Sequence, residues 1–128
     1  MIDDMGIFRT NIQVAALERP HTRLELTNVM VDTGAEYNWI PTSVLESLGV
    51  ARVRVERFET ADGYIFEREV GFALLYAGGR SSPAIVVFGE DADQVLLGAH
   101  GLEGMNLRVD LVRKELVPAG PVIVAAAA

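Results

Sequence analysis

The chain has no cysteine, two histidines (His21 and His100), one tryptophan and only 7% aromatic residues in 128 positions. Each shortage closes off a class of chemistry. Without thiols there is no disulfide framework, no thiolate zinc site and no cysteine nucleophile. Two histidines are too few for a histidine-rich metal site, and without a nucleophile-elbow pattern they argue against a serine-hydrolase triad. Positive charge is also short: 11 Lys and Arg against 18 Asp and Glu give a formal net charge of −7. Nucleic-acid backbones need clustered cations, so that class of partner is not expected. The one gathering, Arg52, Arg54 and Arg57, is broken by Glu56 and Glu59 and reads as a solvated strand face. Long apolar runs are missing too. The tail that begins at Pro121 is far shorter than the roughly 20 residues that span a bilayer, so no membrane partner is expected. The acidic start Met1-Ile2-Asp3-Asp4 lacks the basic opening of a secretory signal, and with the absence of cysteine this suggests a cytoplasmic address.

What is present is aliphatic. Half of the residues are hydrophobic, enough for one core and too many for a disordered chain. No linker divides the sequence, so 1–128 reads as one domain with its core in 7–118 and a terminal strand or tail in 119–128. Short strands separated by turn signals dominate. Residues 7–17 and 21–31 read as the first two, with Leu24, Leu26 and Asn28 on one face of the second by the period of two. In 52–58, Val53 and Val55 alternate with Arg52, Arg54 and Glu56. Asp62-Gly63 signals a hairpin, because glycine accepts the positive φ of a tight turn. Residues 64–76 return as a long strand with Val70, Phe72 and Leu74 on one face. After Gly78-Gly79, the run 84–88 is apolar throughout, as in a strand covered on both sides. Two helices are predicted: 41–49, with Ser43 and Glu46 at capping-box spacing and Gly49 as its stop, and a shorter one over 99–105. Residues 107–111 and 115–117 read as a closing hairpin. Strand, glycine turn and short helix recur weakly, at 29–48 and again at 95–105.

The informative stretch is Asn28-Val29-Met30-Val31-Asp32-Thr33-Gly34-Ala35. An apolar strand runs straight into Asp32, and burying an ionised carboxylate is costly unless something compensates. Thr33 can donate a hydrogen bond within the loop, and Gly34 lets the backbone turn close to the carboxylate. A bare Asp-Thr-Gly is equally well an Asx-turn at a strand end. Its surroundings favour chemistry. Trp39-Ile40-Pro41 and the first helix follow it, and Val95-Leu96-Leu97-Gly98 and the second helix come some sixty positions later. The Asp62-Gly63 hairpin lies between them. Alone, Trp39 reads as core or interface packing and His100 as an exposed helix-start residue. The glycines of Gly98-Ala99-His100-Gly101-Leu102-Glu103-Gly104 lack the Gly-Lys-Ser/Thr ending of a phosphate loop.

In this order the motifs resemble the retropepsin-like (clan AA) aspartic proteases, above all the small prokaryotic ones, from about residue 7 to residue 118. The resemblance implies an all-β, acid-protease fold: a closed β-barrel subunit with one or two short helices. It implies an aspartic endopeptidase that needs no metal or organic cofactor, with Asp32 as its catalytic residue. Thr33 would tie two active-site loops together, and Gly34 and Ala35 would complete the loop against the substrate. Leu96, Leu97 and Gly98 would support it from beneath. Ala61, Asp62, Gly63 and Tyr64 would form a flap over an extended peptide bound as an added strand. The chemistry needs two carboxylates on one water, yet the chain has one Asp-Thr-Gly. Asp3, Asp4, Asp91, Asp93 and Asp110 lack its flanking pattern. The partner is therefore expected to be a second copy of the chain, related by a twofold axis that duplicates Asp32. Viral members carry an ion pair at the positions of Glu36 and Ala99, which this sequence lacks, and their flap tips hold more glycine. A non-catalytic dimeric module that binds peptides or acts as a scaffold is the alternative reading. A plain β-domain with Asp32 as a turn residue is a third.

Overall fold

A computed structural model describes residues 8–126. Ile7, expected to open the first strand, lies outside them. The elements follow as β1 (Phe8–Ala15), β2 (Leu24–Val31), β3 (Asn38–Pro41), α1 (Thr42–Ser47), β4 (Arg54–Glu59), β5 (Ile65–Ala77), β6 (Arg80–Gly89), β7 (Leu96–Leu97), α2 (Ala99–Met105), β8 (Leu107–Asp110) and β9 (Glu115–Pro118). Seven strands form one sheet in the order β1-β2-β7-β3-β6-β5-β4. β1 pairs a second time, placing Val14 opposite Leu75 in β5, and this brings the sheet round on itself. β4 and the outer part of β5 project from it as a hairpin, while β8 and β9 form a separate ladder. The fold is all-β with two short helices. An aliphatic cluster fills it, in which Ile12, Val14, Ile40, Leu45, Leu75 and Leu97 are fully enclosed.

Two local expectations need correction, in β2 and α1, and in β5 and β4 the structure decides which face turns inward. In β2 the inward face is not Leu24, Leu26 and Asn28. Asn11 stands opposite both Thr27 and Asn28, a bulge at which Asn28 takes φ 58° and donates its N–H to Asn11 Oδ1 (3.0 Å). The extra residue shifts the alternation, so Asn28 is exposed while Val29 and Val31 enter the core. In β5 the core side is Gly71, Ala73, Leu75 and Ala77, and Phe72 points outward, 43% exposed. Both faces of that strand are apolar, and a period of two cannot say which one turns inward. Val53 and Val55 are exposed, while Glu56 and Phe58 take the sheltered side of β4. This hairpin lies beyond the barrel, so neither of its faces meets the core.

The other correction concerns α1, which has Pro41 at its N-cap and no side-chain cap; the Ser43/Glu46 box does not form. Thr42 Oγ1 donates instead to Gly89 O (2.9 Å), and Glu46 accepts from Arg52 (2.8 Å). The C-terminus behaves as expected. Gly49 adopts φ 77°, and the N–H groups of Gly49 and Val50 reach back to Glu46 O and Leu45 O, closing a Schellman motif. The 99–105 helix and the Asp110–Glu115 hairpin end also match expectation. Residues 121–126 form no strand, and Val122, Ile123 and Val124 are exposed.

Candidate active site

β2 and β7 run parallel, with Met30 beside Leu96 and Val31 beside Leu97. The ladder continues one step past the strands, where Asp32 N–H donates to Leu97 O (3.0 Å). Asp32 therefore sits half-buried at the end of a strand whose Val29 and Val31 are anchored in the core. Its loop is a turn: Ala35 N–H donates to Asp32 O (3.1 Å), and Gly34 N–H to Asp32 Oδ1 (2.9 Å). The Asx geometry allowed by the bare triplet is thus real, and it orients the carboxylate. Among the described residues no other hydrogen bond falls on that carboxylate. Thr33 and Gly34 are exposed, and Ala35 is half-buried.

Leu96, Leu97 and Gly98 lie directly against this loop, as the sequence suggested. Ala99 N–H donates to Ala35 O (2.8 Å) and His100 N–H to Glu36 O (3.0 Å), so backbone bonds join the two segments that hold Glu36 and Ala99. Gly98 N–H donates to Asn38 Oδ1 (2.9 Å), and Asn38 Nδ2 donates to Ile85 O (2.9 Å). Asn38 is fully buried, and sequence reasoning passed over it. Its signal was an amide standing between Tyr37 and Trp39-Ile40, in a segment otherwise fit for a core strand.

Ala61, Asp62, Gly63 and Tyr64 lie in the loop joining β4 to β5, and all are exposed. Thr60 N–H donates to Tyr64 O (2.9 Å), Gly63 N–H donates to Thr60 O (2.9 Å), and Gly63 takes φ 89°. The Thr60 hydroxyl bonds the Asp62 carboxylate and, with backbone N–H groups, holds its pKa below the usual aspartate value. The loop tip is set apart from Asp32; the stem of the hairpin faces it. Between them lies a cavity of about 630 Å³ lined by Asp32, Ala35, Tyr37, Trp39, Phe58, Phe66 and Leu96, among others. Trp39 sits 4.9 Å from Phe58, Phe58 5.9 Å from Phe66, and Tyr37 5.8 Å from the exposed His100 (centroid distances). Trp39 is therefore half-buried in a cleft wall. Phe58 and Phe66 were missed, though they face each other across the ladder when counted back from Asp62-Gly63.

The other aspartates described have different work. Asp110 accepts the N–H groups of Val112 and Arg113 in the last hairpin. Asp93 receives Arg68 in a bidentate pair (2.7 and 3.0 Å), both side chains 16% exposed, which ties the stem of the β4–β5 hairpin to the loop before β7. The Arg68 hydrogen bonds hold Asp93 below its usual pKa against the opposing effect of burial, with help from the Glu90 N–H. A depressed carboxylate contributes stability above its unfolded pKa and loses it as pH falls through the folded one. Asp93→Asn is expected to cost about 1–3 kcal/mol at pH 7. Urea unfolding at several pH values should show the gap to the parent closing only below about pH 4.

The aspartyl protease family model matches residues 25–100, which takes in the Asp32 loop, the hairpin and the Leu96-Leu97-Gly98 segment. No curated protein matches the chain. Among solved structures, the simian foamy virus (mac) protease, determined in solution, is similar at a TM-score of 0.48 and 19% identity, over 73% of this chain and 92% of that one. With more than half of its length matched by the family model, the chain belongs to the aspartyl protease family.

Proposed function

We propose that the protein is an aspartic endopeptidase that works as a homodimer, with one Asp32 from each subunit acting on a single water. The observation that carries this reading is the setting of Asp32. One carboxylate oxygen is held by Gly34 N–H, and the group opens onto a cavity roofed by the stem of a hairpin. Two carboxylates brought together cannot both ionise easily and so share a proton. The ionised one takes a proton from the water as it attacks the scissile carbonyl. The protonated one first donates to the carbonyl oxygen, and a proton then passes to the leaving amine. Thr33 and Gly34, exposed beside Asp32, are placed to meet the second loop and the substrate backbone. An extended peptide lying between loop and hairpin would present its side chains to Trp39, Phe58 and Phe66.

Two measurements test this. Sedimentation at increasing concentration should show a dimer, and a library of extended peptides should be cleaved at some pH between about 3 and 7, a range that takes in the upper pKa of such a pair. A chain that stays monomeric at high concentration sinks the shared-carboxylate mechanism. A dimer that binds peptides and cleaves none would be a binding module or scaffold.

A further inference from the structure

We infer that Asn38 is a positioning residue for Asp32, acting through the peptide group between Leu97 and Gly98. The inference rests on the protease reading for its kinetic consequences, but its geometry stands independently. That peptide group is bonded on both sides: its carbonyl, Leu97 O, accepts Asp32 N–H (3.0 Å), and its N–H, on Gly98, donates to Asn38 Oδ1 (2.9 Å). A peptide group is planar and turns as one body, so the amide that fixes the N–H also fixes the direction of the carbonyl. Polarisation adds to this, because drawing on the N–H makes the carbonyl a better acceptor.

β7 is also held by two ladder pairs with β2 and by Ala99 N–H donating to Ala35 O, but none of these bonds falls on the N–H of that peptide group. On the β3 side the ladder contributes a single pair, Trp39 with Leu96, so the Asn38 side chain is the other hydrogen-bonded tie from that strand. Asn38 and Ser82 are the buried polar side chains among the described residues, and only Asn38 is wholly enclosed. Enclosing an amide costs free energy unless each of its groups is bonded, and its other end is fixed by Nδ2 donating to Ile85 O (2.9 Å). The side chain is thus held at β6 and reaches across to β7. Helix α2 makes room for it: a Cβ on Gly101 would run into Asn38 Oδ1. An apolar residue would pack in the same space, but it could not accept the Gly98 N–H.

Two variants test the role. Asn38→Leu keeps roughly the shape and removes both hydrogen bonds. The expected result is a fall in kcat of up to about 100-fold, as for a displaced catalytic group, with KM changed little. Asp32 and Gly98 amide hydrogens should exchange faster, while those of the β5–β6 ladder keep their protection. Asn38→Asp is the second variant. Its neutral carboxyl can accept from Gly98 and donate to Ile85 O, whereas its ionised form repels that carbonyl. Its activity relative to the parent should therefore approach the parent's at acid pH and decline as pH rises, with the protein folded throughout. Unchanged kcat in both variants, or activity that only tracks the folded fraction at every pH, would overturn the inference. If the parent cleaves no peptide, the protease reading fails on its own. The exchange of the Asp32 amide in whichever variant folds still decides the positioning claim: an amide as protected as in the parent refutes it.

Discussion

Asp32→Asn is expected to reduce peptide cleavage by at least about 10³-fold while leaving the fold and the dimer intact. Asparagine has nearly the same shape, and its Oδ1 can still accept the Gly34 N–H that orients the side chain (2.9 Å). It can neither take a proton from water at these pH values nor deliver one. Since the half-buried Asp32 carboxylate has no other hydrogen bond among the described residues, little packing depends on its charge. Thermal unfolding and sedimentation should match the parent, which separates loss of chemistry from loss of structure. The same variant probes the dimer. Parent subunits mixed with a large excess of Asp32→Asn should lose activity, because nearly every parent subunit is then paired with one that carries asparagine. Activity that stays proportional to the parent added would mean that each chain works alone.

The second large effect is expected at Gly98. Its backbone is extended (φ −95°, ψ −176°), which any residue can adopt, so the demand is for space. A Cβ there would collide with Tyr37 O and lie 2.8 Å from Ala35 O. Both are backbone atoms, and the Ala35 carbonyl already accepts Ala99 N–H in the tie between the two loops. Neither can swing away as a side-chain tip could. Gly98→Ala should cost about 3 kcal/mol and lower Tm by roughly 10 °C, with activity falling further than the folded fraction because the Asp32 loop must move. Gly63→Ala is the contrast. A Cβ at Gly63 meets nothing within 4 Å, but φ is 89°, so only the backbone strain of about 1 kcal/mol is expected. If the two glycines cost the same in urea unfolding, close packing beneath Asp32 is not what fixes Gly98.

Much of the site could be read from the chain because its signals are local. Asp32-Thr33-Gly34 follows a run of apolar residues, Asp62-Gly63 marks a turn, Gly49 stops a helix, and Leu97-Gly98 precedes another. Each depends on backbone preferences within a few residues, and all appear where the sequence put them. What the sequence misjudged in β2 and left open in β5 was the inward face. Leu24 and Leu26 do not share a face with Asn28, because a single bulged residue reverses the alternation, and the bulge exists only through the partner strand. Phe72 points outward and Ala73 inward because the barrel closes on that side. Nor could Glu46 signal that it would answer Arg52 in place of capping its own helix.

By itself, then, the sequence determined where a carboxylate, its glycine turn, the Asp62-Gly63 hairpin and the Leu96-Leu97-Gly98 segment would lie along the chain, and that these 128 residues hold one Asp-Thr-Gly motif. Only the tertiary structure decided what holds the carboxylate in place. Residues 32, 38 and 98 are joined by hydrogen bonds between strands far apart in sequence. It likewise decided that Trp39, Phe58 and Phe66 wall one cleft. Local preference acts through neighbouring dihedral angles. A buried hydrogen bond or a shared wall depends on which strands the closed sheet sets side by side.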